Sequence, residues 1–391
     1  MKRSMVIGFG VFLTALGALS APAWAQEAAA EGEAAETEER FAPTPQSLEA
    51  ARTEPDGVPY EFETDGRIAV VSTIQGHLDR LAQFLQAQEF VDDDGTWVAG
   101  DGHLVVLGNL MGYGPKNLET LEYLKSLSDQ ASEEGGRVHV LIGGTDIFNL
   151  RGVMSTMPPS SYEHLATADS RARLDERLSR WLEELWDYNS DFPERQRLNL
   201  RENFERFYRR ANLPGSLEFT DRYAPGTELG DWLRSSNAII RINDVLFVSG
   251  GLHPIYADIP LDRINAHYRN VINKDSVYVP AMSDVKAGPA IWTGLSFPQG
   301  PEEATLREVT DMLAEVEARL MVVGHSPATL GESLLRGRVL HVNNNFLASR
   351  DQAAYGGVVF TGPDRYQLIN AGRVRELIVP DVPEHSSTTE D

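Results

Sequence analysis

Short apolar runs alternate with helically spaced apolar residues through the first half of the chain. Arg67 to Ser72 encloses Ile68-Ala69-Val70-Val71, a buried strand by its length and β-branched content. Leu78, Leu81, Phe84 and Leu85 then recur at helical spacing. Leu104-Val105-Val106-Leu107 is a second strand. Leu118, Leu121, Leu124 and Leu127 predict a helix stopped at Gly135-Gly136, and Val138 to Ile142 gives a third strand. That order predicts a sheet covered by helices. Residues 148–236 differ: Arg, Glu, Leu and Trp fall at helical spacing with no strand pattern, which predicts a helical insertion. Strands resume at Ala238–Ile242 and Val245–Ser249, and Leu306, Val309, Leu313 and Val316 mark another helix. Leu320–Val323, Val339–Val342, Val358–Phe360 and Tyr366–Ile369 follow closely, as the second half of a two-sheet sandwich would. No internal repeat is present.

The ends have another character. Lys2 and Arg3 precede an uncharged apolar stretch from Val6 to Leu19, and Ala23-Trp24-Ala25 has the small-x-small pattern of a signal-peptidase site. Residues 1–25 are therefore expected to be a signal peptide, with the alternative of an uncleaved anchor. Their apolar stretch is too short for a comfortable membrane span, so no stable span is expected after cleavage. Residues 26–58 are rich in Ala, Glu, Pro and Thr, the composition of a disordered acidic linker. A single folded domain is then expected over 59–381, with a frayed polar tail over 382–391. The chain contains no cysteine, which excludes disulfides and a lipoprotein anchor. Losing Lys2 and Arg3 moves the formal net charge from −23 to −25, a surface that repels nucleic acid and anionic lipid. The expected location is periplasmic or secreted.

Three strand ends carry Gly-rich turns: Ser72-Thr73-Ile74-Gln75-Gly76, Gly108-Asn109-Leu110-Met111-Gly112-Tyr113-Gly114-Pro115, and Gly143-Gly144-Thr145-Asp146. Ligands of α/β sheets gather at the carboxyl ends of strands. Two further frames follow, Ser249-Gly250-Gly251-Leu252-His253-Pro254 and Gly324-His325-Ser326-Pro327. In order and spacing these five frames resemble the motifs of calcineurin-like metallophosphoesterases, in particular the bacterial Shewanella-like phosphatases: G-D-x-H-G, G-D-x-x-D-R-G-P, G-N-H-E, H-G-G-x-x-P and G-H-T/S-P. The resemblance covers about Arg67 to Leu377. It implies an α/β fold, the αββα two-sheet sandwich, with a helical insertion.

The same resemblance implies two divalent metals (Mn, Fe or Zn) that activate a water for attack on phosphorus. Position by position the required ligands are missing. The first Asp and His correspond to Thr73 and Gln75, and the bridging Asp to Asn109. The Asn of the third motif is Gly144, and the His of the fourth is Ser249. Only His325 of the fifth remains. The catalytic positions are changed too: the general-acid His is Thr145, its orienting Asp is Gly112, and the phosphate-binding arginines are Tyr113 and Thr293. Asp146 replaces the motif's Glu. Anionic ligands and cationic clamps have become neutral together, as expected once neither metal nor phosphate is bound: clustered carboxylates without a cation repel, and buried arginines without an anion are unpaired.

The expectation is therefore an exported pseudophosphatase, without metal cofactor, acting as a binding or scaffold module for an unknown protein, basic envelope partner or small ligand. The alternative is a metal-dependent phosphoesterase, of serine/threonine or tyrosine phosphatase type, with a remodelled mononuclear site. His77, His253 and His325, with Asp146, are its possible relocated ligands; the plainer reading of His325 is a histidine hydrogen-bonded within a turn. Tyr113 could stack on a ligand or fill the emptied cleft. Trp181, Trp186 and Arg209 of the insertion fit core packing and solvated faces. There is no P-loop and no G-x-S-x-G elbow, and Asp92-Asp93-Asp94-Gly95 lacks the ligand pattern of an EF-hand and fits a turn.

Overall fold

A computed structural model describes residues 50–273, 302–324, 330–331, 333–343, 356–370 and 372–379. The signal peptide, residues 26–49, the tail over 382–391, Thr293 and His325 lie outside the described residues.

The apolar runs form two six-stranded sheets. In the first half, β1 (Glu61–Phe62), β2 (Ile68–Val71), β3 (His103–Val106) and β4 (Arg137–Val140) are joined by helices α1 (Leu78–Ala87) and α2 (Asn117–Glu133). A third helix, α3 (Gly144–Leu150), leads into the insertion, where α4 (Ser170–Tyr188), α5 (Glu194–Ala211), α6 (Ser216–Asp221) and α7 (Glu228–Arg234) follow. Then come β5 (Ile239–Ile242), β6 (Val245–Val248), α8 (Leu261–Asn273), α9 (Glu302–Glu315), β7 (Leu320–Val323), β8 (Ser333–Leu334), β9 (Val339–His341), β10 (Gly356–Gly362), β11 (Arg365–Asn370) and β12 (Arg373–Ile378). One sheet has the order β1-β5-β6-β7-β9-β8 and the other β12-β11-β10-β2-β3-β4.

The two-residue period of the strands explains the layering. Ile68 and Val70 of β2, Val245 and Phe247 of β6, and Leu320 and Val322 of β7 belong to one core between the sheets. Their neighbours Ala69, Val71, Leu246, Val248, Met321 and Val323 pack on the other side, with Leu81 and Phe84 of α1 and Leu121 and Leu124 of α2. Phe247 meets Phe360 edge-on across the inter-sheet core at 6.1 Å. Strands apolar on both faces must be covered on both faces, and the αββα arrangement does so.

Two expectations need correction. The late strands do not all complete the second sheet: β10 pairs antiparallel with β2, Val358 opposite Val70, so the last three strands extend the first sheet instead. The acidic linker does not run disordered to residue 58. Ala50 is fully buried, and Asp56 pairs with Arg269 at 2.5 Å, which fixes the last residues of that segment on α8. Helix α8 itself was not foreseen. The regular elements of the insertion are all helices, with their own core of Leu174, Leu178, Trp181, Leu182, Phe204 and Phe207. Arg209 pairs with Asp175 and Glu205 on its surface, and Arg197 lies 3.7 Å over the Trp186 ring. Asp92 accepts from the Asp94 and Thr96 N–H groups, which makes the acidic run a turn. Among the described residues no helix is long and apolar enough to cross a membrane.

Candidate functional site

The first four Gly-rich frames and Gly324 of the fifth meet where the two sheets' strand ends adjoin. The turns after β2 and β3 are zipped together by backbone bonds: Thr73 N–H to Gly108 O at 3.1 Å, Gln75 N–H to Asn109 O at 2.9 Å, and Gly76 N–H to Leu110 O at 2.8 Å. The second sheet is tied in by Ser72, whose Oγ reaches Val342 O at 2.5 Å and Gly324 O at 3.2 Å. Close approach requires the glycines. A Cβ on Gly324 would lie 2.7 Å from the Cβ atoms of Ser72 and Leu107, and one on Gly143 2.6 Å from the Asn109 nitrogen.

Thr73, Gln75 and Asn109 all have positive φ, of 54°, 49° and 56°. For a β-branched residue such as Thr73 this conformation is strained, typically by about 1–3 kcal/mol. The backbone therefore holds a local geometry that the side chains now in place do not favour.

Of the residues assigned from the sequence, Asn109, Thr145 and Ser249 come together, as neutral groups. A Cβ on Gly143 would be 2.7 Å from Asn109 Oδ1 and 3.0 Å from Ser249 Oγ, so those two side chains share one small space. The Thr145 N–H and Oγ1 both donate to Asn109 Oδ1, at 3.1 and 2.9 Å, which engages the amide oxygen in place of the bridging carboxylate. The Gln75 side chain lies along Gly112, whose Cβ would be 3.0 Å from Gln75 Cβ and Cγ. Gln75 Oε1 and Ser249 Oγ are buried with no hydrogen-bond partner among the described residues. Gly144 opens α3 and contributes no side chain. Tyr113 is 45 % exposed, which excludes the expectation that it fills the cleft.

Asp146 is the one carboxylate among these positions, and it faces backbone. Its Oδ2 accepts from Asn109 N–H at 2.6 Å and Gly143 N–H at 2.9 Å, and its Oδ1 from Leu110 N–H at 2.8 Å. Burial pushes its carboxyl up to about 6, opposed by these N–H groups and that of Met111. The residue stitches the turn after β3 to the start of α3. A second stitch was not foreseen: Asn117 Oδ1 accepts from Gly112 N–H at 2.8 Å while its Nδ2 donates to Gly112 O and Gly114 O.

His77 and His253 are half-buried. Desolvation, then the Arg80 charge, lowers the His77 pKa, and the His253 Nδ1 accepts locally from Ile255 N–H at 3.1 Å. Among the described residues no group of three His, Asp or Glu side chains is placed to hold a metal. The donor set fits poorly with two dications: these need charged carboxylates and imidazoles, whereas the oxygens available here are an engaged amide, a second amide and a hydroxyl.

No protein-family model matches the chain. Shewanella-like protein phosphatase 2 of Arabidopsis thaliana is 22% identical over 223 residues, 56% of this chain and 56% of the relative. The symmetrical bis(5'-nucleosyl)-tetraphosphatase of Vibrio campbellii is 38% identical over 79 residues, 20% of this chain and 24% of the relative. These matches thus span about half and about a quarter of the relatives' lengths. Among solved structures, a cold-active protein-tyrosine phosphatase of a psychrophilic Shewanella species aligns with a TM-score of 0.60 at 22% identity, covering 82% of each chain. A second structure titled cold-active protein tyrosine phosphatase gives 0.60 at 23%, covering 82% of this chain and 80% of the other. The chain has homologues among Shewanella-like phosphatases and carries the calcineurin-like metallophosphoesterase fold.

Proposed function

We propose that this metallophosphoesterase-fold chain no longer performs two-metal phosphoester hydrolysis and acts outside the cytoplasm as a binding or scaffold module. The observation that carries this reading is the occupancy of the strand-end cleft. Asn109 and Ser249 share one small space there and Gln75 lies along Gly112, all without a charge, and Asp146, the single carboxylate among the motif positions, has both oxygens engaged by backbone N–H groups. Electrostatic activation of a water and clamping of a phosphoryl group both need the charges that these positions lack. The N-terminal signal pattern supports export, and the acidic segment after it supports a basic envelope partner.

The buried, unpartnered Gln75 Oε1 and Ser249 Oγ favour a second reading, in which they and His325 hold one cation in a remodelled phosphoesterase site. Hydrolysis of p-nitrophenyl phosphate and of serine-, threonine- and tyrosine-phosphorylated peptides separates the two. With Mn, Fe or Zn supplied, the non-catalytic reading expects no chelator-sensitive turnover in the wild type or in His325→Ala. Turnover that chelator abolishes and His325→Ala removes would establish the remodelled site instead.

A further inference from the structure

The two sheets adjoin at one edge over a pair of buried histidines. β4 is the edge strand of one sheet, and β1, only two residues long, is the edge of the other. His103 is in register with Ile68 and Arg137, and His139 with Val105. Ile68 and Val105 belong to the core between the sheets, so both imidazoles face that core. They are 2 % and 9 % exposed, and His139 Nε2 lies 3.2 Å from His103 Nδ1. Phe62 of β1 covers them, its ring centroid 4.4 Å from that of His139 and 6.4 Å from that of His103. We propose that this histidine pair is an acid-operated latch, whose protonation lifts β1 from the joint and bares the β5 edge of its sheet.

The attachment of β1 is slight. Arg241 N–H donates to Tyr60 O at 2.8 Å and Asn243 N–H to Phe62 O at 2.9 Å. The Asn243 side chain brackets Thr64, accepting from its N–H and donating to its O, both at 3.0 Å. Thr64 Oγ1 donates to Asp101 O at 3.0 Å. Phe62 on the imidazoles supplies the apolar part of the contact, and that part requires uncharged rings. One ring nitrogen donates to the other in the neutral pair; with both rings protonated, two donors face each other.

The charges around the pair oppose protonation on balance. Desolvation, then Arg137, lowers His103 to about 4 against the weaker pull of Asp101; desolvation, His103 and Arg137 hold His139 low. The Arg137 guanidinium also lies 5.4 Å from the Phe62 ring. Glu61 and Glu63, on either side of Phe62 in the chain, act on Arg241 of β5 instead. Arg67, before β2, is engaged by Gln88 O and Glu89 O. Rings freed by opening return towards the ordinary value of 6.5, so the open form binds more protons and acid favours it. From pH 7 to pH 5, His103 alone raises the open population about tenfold or more. Asp56 stays ionised over that range, because the hydrogen bond from Arg269 holds its carboxyl below the usual value, so the anchor on α8 persists. Opening is therefore confined to β1. It leaves the Arg241 and Asn243 N–H groups unpaired, a template for an extended segment of another chain.

Hydrogen exchange of the whole mature chain at pH 7 and pH 5, corrected for the intrinsic pH dependence of exchange, tests the latch. Protection of the Arg241 and Asn243 amides should fall about tenfold or more, while the amides of Val245–Val248 in β6 keep theirs. The double variant His103→Gln/His139→Gln should abolish the fall. Arg137→Gln, on an exposed residue, should carry it to lower pH, and decides the matter if the double variant does not fold. Unchanged protection at pH 5, an equal loss throughout β6, a fall that survives in the double variant, or one that Arg137→Gln does not shift would each overturn the proposal.

Discussion

Asp146 shows how one residue can keep a motif's backbone after its chemistry has gone. Three N–H groups from two different turns converge on its carboxylate. Removing that acceptor would leave them buried without partners, at roughly 1–3 kcal/mol for each group. Asp146→Ala is therefore expected to lower unfolding stability by about 3 kcal/mol or more, read as a fall in urea midpoint. A loss below about 0.5 kcal/mol would show that the turns hold themselves. The sequence placed Asp146 in its motif frame but could not show where its oxygens point, because that depends on backbone donors 36 and 37 residues away.

At the scale of elements, β3 and β4 carry a buried histidine pair, His103 opening β3 and His139 in the third position of β4. His139 Nε2 lies 3.2 Å from His103 Nδ1, and Phe62 of β1 packs 4.4 Å from His139. Desolvation first, then the Arg137 charge, lowers His103 to about 4; desolvation and the neighbouring His103 and Arg137 hold His139 well below the usual imidazole range. Groups lowered in the folded state favour folding above their unfolded value of 6.5, and that advantage is lost as pH falls below it. At pH 5 the loss is about 2 kcal/mol for His103, and His139 acts in the same direction. Asp146 acts oppositely: its raised value, about 6, recovers stability as pH falls through that value, so the comparison must be made against a variant. His139→Leu should lose less stability than the wild type between pH 7 and pH 5 in denaturant titrations. Parallel pH profiles would contradict the assignment.

Elements differ in how far the sequence discloses them. The strands β2, β3, β5, β6 and β7 are apolar on both faces and stand out as runs. Helix α8 does not, because Asn265, His267 and Arg269 are buried in it and interrupt the apolar stripe. Asn265 earns its burial by accepting from Ala238 and Ile239 N–H and donating to Ile239 O. Strand β12 is mostly exposed and charged, so its partnership with β11 leaves no apolar signature.

Across the whole molecule, the strand-end cleft retains converging turns and strained backbone but neutral side chains. A scaffold preserved without its ligand set is consistent with a binding role replacing a catalytic one, since fold alone does not define activity. Elemental mass spectrometry of the purified mature protein, prepared without chelator, tests the loss of the two-metal site most directly. A stoichiometry near zero for Mn, Fe and Zn is predicted. About one bound ion per chain would favour the remodelled mononuclear site, and about two would contradict the assignment of Thr73, Gln75, Asn109, Gly144 and Ser249 to abandoned ligand positions.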